Sequence, residues 1–279
     1  MSPQPAAAPA LSGSMPPLAV DFQPRQETGF RLADGLRPGE TILLVPAAGE
    51  DPGDGMAAAG ASSGTGKTQL AVGFAHAMWS SRAVDVLVWV TAGNRTAIIA
   101  GYAQAAADLD LGAAEETADR GAQRFLSWLR RTSQRWAVVL DGVTSPPDLD
   151  GLWPQGPAGQ VVVTTVLRAS ELDGPGRTAY GVPGFSRREA LGYLNSRLDS
   201  FPDQRIEALD LVEDIDGLPI AIAQAARLKI LCIATPRFRL LYSKSAAGLH
   251  LTSARVQAAR HLLCGLPPMP ITHARFRPG

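Results

Sequence analysis

The sequence predicts a three-layer α/β domain built on a mostly parallel sheet, and three observations lead there. Asp85–Thr91, Trp136–Asp141 and Gln160–Thr165 contain continuous apolar runs of strand length, the pattern of strands buried on both faces. Between them apolar residues recur at helical spacing, first Ala97, Ile98, Tyr102 and Ala105, then Ala122, Phe125, Leu126 and Leu129. Upstream, Ala61-Ser62-Ser63-Gly64-Thr65-Gly66-Lys67-Thr68 fits a phosphate-binding loop that opens a helix, with Ala61 where the strict pattern has glycine.

In chain order, Met1 to Pro17 is rich in Ala, Pro and Ser, without a basic start or a long apolar core, so it reads as a flexible leader and not a signal peptide. The leader is assigned to residues 1–38. Gly39–Pro46 then holds a short apolar run, and Ala47–Gly55 is an acidic, Gly-rich surface loop. Two strands compete to feed the phosphate loop: residues 42–45, or the nearer but weak 56–60.

The loop's chemistry explains its spacing. Small residues from Ser62 to Gly66 let the backbone curl so that successive N–H groups face phosphate oxygens. Lys67 adds a point charge for the β- and γ-phosphates, and the Thr68 hydroxyl is a ligand for Mg²⁺. The helix that follows, through Gln69, Leu70, Ala71, Val72, Phe74, Ala75 and Met78, presents its positive end to the anion. The alternative is a Gly/Ser-rich linker that matches by accident. Lysine occurs at only three positions, 67, 229 and 244, and one of them falls where the loop requires it. The accidental match is therefore disfavoured.

Asp141 closes the apolar run Ala137–Leu140, which puts its carboxylate at the carboxyl edge of a parallel strand, where ligands of such sheets bind. With the loop upstream, this is the arrangement that holds Mg²⁺ against a nucleotide; alone, it could equally end a strand in an ordinary turn. Thr164 and Thr165 close the next run. Their hydroxyls are candidates to sense a γ-phosphate, the plainer account being β-propensity and strand capping. Ser186 and Glu189 form a capping box ahead of Ala190, Leu191 and Leu194. Ile206, Leu209, Val212 and Ile215 make a further stripe, and Gly217–Ile220 is a turn with a proline near a helix start.

Taken in order, Ala61–Thr68, Trp89-Val90, Val138–Asp141, Val162–Thr165, Phe185–Ala190 and Gly217–Pro219 resemble the nucleotide-binding core of the STAND-class P-loop NTPases, the NB-ARC type of actinobacterial regulators and of immune and apoptotic switches. The resemblance covers roughly residues 56–227. It implies a P-loop NTPase domain over 39–227, followed by a short helical segment that is incomplete by the family's standard. It further implies ATP or ADP with Mg²⁺, held by the phosphate loop from Ala61 to Thr68 and by Asp141, with Thr68 and Asp141 on the metal. Thr164 or Thr165, with Arg168 nearby, would sense the γ-phosphate, and Pro219 would pack near the adenine. The implied partners are the nucleotide, an unidentified protein and a second copy of the chain bound in a nucleotide-dependent way.

Three departures from the family pattern stand out. Gly142 occupies the place of a second acidic residue that would activate water. Val166 follows the paired threonines where arginine is usual, with Arg168 two residues on. The Gly-Arg entry motif is absent unless Gly29-Phe30-Arg31 is its remnant. Together they predict a switch that binds nucleotide tightly and hydrolyses it slowly, or not at all. The alternatives are an active AAA-like ATPase, with Asp148 or Asp150 as base, and a non-catalytic module with a nucleic-acid-binding tail. A kinase is disfavoured because no acceptor-site base can be identified.

Charge divides the chain. No acidic residue follows Asp216, whereas nine Lys and Arg do, so residues 1–216 hold 17 basic against 26 acidic side chains. In the tail, 228–279, Arg237, Arg239, Arg255, Arg260, Arg275 and Arg277 could meet nucleic acid, but the favoured account is a truncated or out-of-frame lid, poorly ordered. A zinc site from Cys232, His250, His261 and Cys264 fits no established spacing. With two cysteines there is no disulfide framework, and no apolar run reaches membrane-spanning length. A cytoplasmic protein without membrane contact is the expectation.

Overall fold

The computed structural model describes residues 9–23, 25, 37–47, 64–112, 117–197 and 217–234, the last seven as helix backbone only. Contacts divide the chain into residues 1–226 and 227–279, and the account below concerns the first unit. Ala61, Ser62 and Ser63, the weak strand 56–60, Gly29–Arg31, the stripe 206–215 and the tail beyond Ala234 lie outside the described residues.

β-branched and aromatic residues dominate the three strands read from continuous apolar runs. Ala10–Ser12 and Arg177–Val182 add strands that the sequence reading does not include, and six strands form among the described residues. They are β1 (Ala10–Ser12), β2 (Thr41–Pro46), β3 (Val86–Thr91), β4 (Trp136–Val143), β5 (Gly159–Thr165) and β6 (Arg177–Val182). They make one sheet in the order β1-β3-β4-β5-β2-β6, and every pairing is parallel. The described helices are α1 (Lys67–Ser80), α2 (Arg95–Asp108), α3 (Ala118–Leu129), α4 (Arg187–Arg197) and α5 (Pro219–Ala234).

Alternation along the strands explains the layers. Ile42, Leu44, Leu87, Trp89, Ala137, Val139 and Val162 pack with Leu70, Val72 and Phe74 of α1. The intervening residues Leu43, Val88, Val90, Val138, Leu140 and Val163 meet Ile98, Tyr102, Phe125 and Leu126 of α2 and α3 on the other face. Both faces being covered, the strands read as unbroken apolar runs. A third, smaller cluster joins Ala190, Tyr193 and Leu194 of α4 to Ile222 and Ala226 of α5. No helix of the described residues is long and apolar enough to cross a membrane.

Side chains cap two of the helices, and the Ser186–Glu189 box is the one read from the sequence. Asn94 caps α2 by accepting from the Ala97 N–H at 2.9 Å. At α4 the Ser186 N–H donates to Glu189 and the Glu189 N–H donates back to the Ser186 hydroxyl, at 2.8 and 3.3 Å.

One point that the sequence left open and one expectation that the structure changes bear on the sheet. Of the two candidate strands, Thr41–Pro46 stands in the sheet between β5 and β6, one in from the edge, with both faces of Ile42–Leu44 apolar and buried, while 56–60 lies outside the described residues. Part of the expected flexible leader is ordered. Ala10–Ser12 adds an edge strand to β3, and the Ser12 hydroxyl donates to Asp108 at the end of α2 at 2.6 Å. Gly13 then turns away at φ +85°, where a Cβ would lie 1.9 Å from the Trp89 carbonyl oxygen. Further on, Gln69 of α1 accepts from the Ala19 N–H at 2.6 Å, and Phe22 packs over Gly73.

Candidate nucleotide site

Residues 64–66 lead into α1 through two left-handed glycines, Gly64 at φ +90° and Gly66 at φ +92°. Gly66 occupies the N-cap position, where no side-chain cap hydrogen bond forms, and the first helical bond runs from the Leu70 N–H to the Gly66 carbonyl at 3.0 Å. The N–H groups ahead of Leu70 therefore have no partner within the helix, the arrangement that receives an anion. Lys67 is only 7% exposed, and its Nζ donates to the Thr65 hydroxyl at 3.2 Å. An ammonium held at a helix N-terminus is placed to meet the oxygens of a bound phosphate.

A cavity of about 420 Å³ opens in front of this helix end. Its floor includes residues 64–70, Gly142, Val143, Thr164 and Thr165, and its apolar wall includes Phe22, Phe185, Tyr193, Pro219 and Ile220. The volume and mixed lining suit a small polar ligand with an apolar end.

The edge of the sheet carries the sharpest geometry. Asp141, near the end of β4, accepts on Oδ1 from the Thr68 hydroxyl at 2.8 Å and from the Thr164 hydroxyl at 2.6 Å. Three residues separated by 73 and 23 positions thus converge on one oxygen. The Gly142 N–H donates to the Thr164 hydroxyl at 2.8 Å, while the Thr165 hydroxyl donates to the Val143 carbonyl at 2.7 Å. A hydroxyl and a carboxylate side by side are hard oxygen donors and fit Mg²⁺, which needs few protein ligands when a phosphate and waters complete its shell. Among the described residues no group of three His, Cys, Asp or Glu gathers as a metal cluster, and a Mg²⁺–nucleotide site requires none.

Of the other sequence candidates, Pro219 is the first residue of α5 and lines the cavity, and the neighbouring Ile220 N–H donates to the Gly64 carbonyl at 3.3 Å. Arg168 does not line the cavity. It precedes a 3-10 turn at Ala169–Glu171, and its N–H donates to the Glu171 carboxylate at 2.8 Å. Val166 lines the cavity instead.

Sequence reasoning missed Arg25. It is 4% exposed, lines the cavity and donates to the Thr65 carbonyl at 2.6 Å, to the Gly184 carbonyl at 3.1 Å and to the Pro183 carbonyl. Its guanidinium lies 4.7 Å from the centre of the Phe185 ring. Nothing in its Pro- and Gln-containing neighbourhood distinguishes it from a solvent-exposed arginine.

No protein-family model matches the chain, and no curated protein matches it. Solved structures do. A Signal Transduction ATPase with Numerous Domains protein with a tetratricopeptide repeat sensor, from Pyrococcus horikoshii, superimposes with a TM-score of 0.53 at 14% identity, covering 89% of this chain. This chain spans 33% of that protein's length. The Aeropyrum pernix ORC2 protein, in ADPNP–ADP complexes, matches with a TM-score of 0.41 at 16% identity, over 87% of this chain and 68% of its own. Cdc6p from Pyrobaculum aerophilum matches with a TM-score of 0.41 at 14% identity, over 88% and 81%. The likeness to the Pyrococcus structure and the six-stranded parallel sheet define the fold as α/β, of the P-loop NTPase type.

Proposed function

We propose that this chain is a nucleotide-binding switch of the STAND, NB-ARC-like type, holding ATP or ADP with Mg²⁺ and hydrolysing ATP slowly or not at all. The observation that carries the reading is the convergence of Thr68 and Thr164 on Asp141, beside a buried Lys67 at a helix N-terminus. In this reading the loop from Ala61 to Thr68 cradles the phosphates, and Lys67 neutralises their charge. Thr68 and Asp141 hold Mg²⁺, which would draw negative charge from the phosphate oxygens. The base lies along the apolar wall near Pro219, which couples it to α5.

Slow turnover is supported by Gly142, which has no side chain to accept a proton from water. Lacking a positioned general base would cost on the order of 10²–10⁴-fold in hydrolysis. The partners in this reading are an unidentified protein and a second copy of the chain, recruited according to the nucleotide held.

Equilibrium binding of fluorescent ATP and ADP, with Mg²⁺, to the wild type and to Lys67→Ala tests the proposal. Micromolar binding that Lys67→Ala abolishes is the expected result. Absence of binding to the wild type would overturn the nucleotide reading, and turnover above about one per second would overturn the switch.

A further inference from the structure

The two threonines that end β5 both have their hydroxyl protons engaged by the protein. Thr164 donates to Asp141 and accepts from the Gly142 N–H, while Thr165 donates to the Val143 carbonyl and accepts from the Leu167 N–H at 3.0 Å. A hydroxyl has one proton, and a phosphate oxygen is only an acceptor, so reading a γ-phosphate requires that proton. Each threonine is 2% exposed and held between neighbouring strands.

Backbone geometry shows why Thr164 is needed where it is. The β4–β5 pairing is regular as far as Leu140 and Val163, then shifts register before Val143 and Thr165. Asp141 and Gly142 fall in that irregularity, and Gly142 turns the chain at φ +83°. Toward β3 the ladder still holds the Asp141 backbone, with Thr91 opposite it and the Ala92 N–H donating to its carbonyl at 2.7 Å, but toward β5 no regular pairing does. On the β5 side Thr164 supplies the link through its side chain, taking the Gly142 N–H and giving its proton to the Asp141 carboxylate. Thr68 holds the same Oδ1 from α1, and among the described residues neither hydroxyl engages Oδ2.

We infer that Thr164 is a positioning residue for the Asp141 carboxylate, tuning Mg²⁺ affinity, and not a sensor of the γ-phosphate; this rests on the nucleotide-binding reading above. Thr164 then acts equally on Mg–ATP and Mg–ADP, because it works through the carboxylate and not through the third phosphate. Partners that orient a metal-binding carboxylate typically carry 10–100-fold in metal affinity.

The test titrates fluorescent ATP and ADP into the wild type, Thr164→Val and Thr164→Ser, each with saturating nucleotide-free Mg²⁺ removed by EDTA or added back stepwise. In EDTA all three proteins should bind both nucleotides alike, which also reports that the variants are folded. On adding Mg²⁺, Thr164→Val should need roughly tenfold more metal for the same gain in affinity, for ATP and ADP equally. Thr164→Ser, which keeps the hydroxyl, should restore the wild-type midpoint. A loss confined to ATP and present in EDTA would overturn the inference in favour of a γ-phosphate sensor. An unchanged Mg²⁺ midpoint in Thr164→Val would overturn it as well. A wild type that binds neither nucleotide under either condition would instead overturn the nucleotide reading on which it rests.

Discussion

Arg25 and Thr65, forty residues apart, are joined by a 2.6 Å hydrogen bond from a guanidinium Nη2 to a carbonyl oxygen. The same guanidinium reaches the carbonyls of Pro183 and Gly184, so the segment before β2 ties the phosphate loop to the stretch before α4. A planar fork serves several acceptors at once, which a lysine ammonium does not reproduce.

Arg25→Ala should therefore loosen the loop on one side. Charge-assisted hydrogen bonds of this kind contribute about 1.5–3 kcal/mol. The expected outcome is a lower melting temperature and weaker nucleotide binding, with Arg25→Lys recovering little of either. Thermal unfolding and nucleotide titration of the two variants check it. Wild-type behaviour in Arg25→Ala would show that the contacts among Thr65, Pro183 and Gly184 are incidental.

Gly64 carries two constraints that can be separated. A side chain at its φ of +90° is strained, and a Cβ there would stand 2.5 Å from Ile220 Cγ2. Left-handed backbone costs a non-glycine residue about 1–2 kcal/mol. Gly64→Ala should lose that and more. Pairing it with Ile220→Ala should recover only the part due to the clash, which a double-mutant cycle measures by thermal unfolding. Full recovery in the pair would mean that the conformation at Gly64 is not fixed.

Gly142 offers the reciprocal case. Its φ is +83°, but nothing lies within 4 Å of where a Cβ would be. Gly142→Asp should fold at a cost of about 1 kcal/mol, since Asp tolerates the left-handed region better than most residues. It also places a carboxylate beside Asp141. If the missing base limits turnover, phosphate release should rise by at least about tenfold. No rise would remove Gly142 as the reason for slow hydrolysis.

Far from the site, Tyr102 is fully buried in the core and donates to the Leu152 carbonyl at 3.0 Å. Burial disfavours the phenolate and pushes the phenol's pKa up. With the folded value above the unfolded value of about 10, the unfolded chain loses its proton first as pH rises. The contribution to stability is thus complete below about pH 10 and declines above it. Tyr102→Phe should remove that part of the alkaline decline, while losing about 1–2 kcal/mol at neutral pH because the carbonyl is left unpaired. Urea denaturation between about pH 7 and 11 checks both parts, and nucleotide binding should be unchanged.

The sequence by itself determined what depends on residues close together in the chain. Unbroken apolar runs made Val86–Thr91 and Trp136–Leu140 legible as parallel strands, because a strand covered on both faces needs apolar residues at successive positions. The spacing of Gly64, Gly66, Lys67 and Thr68 marked a phosphate loop, since its chemistry lies within a few residues. Ser186 and Glu189 marked a helix start for the same reason. Tertiary structure alone decided the order of the strands in the sheet, that Thr68 and Thr164 share one oxygen of Asp141, that Arg168 is not part of the cavity lining, and that Arg25 is buried against the loop. Those contacts join positions as far apart as 159 residues, and their partners are mostly backbone carbonyls, which every residue has. No local pattern of side chains distinguishes a carbonyl that will meet a distant guanidinium from one that will not. The choice is made by how the sheet brings its strand ends together.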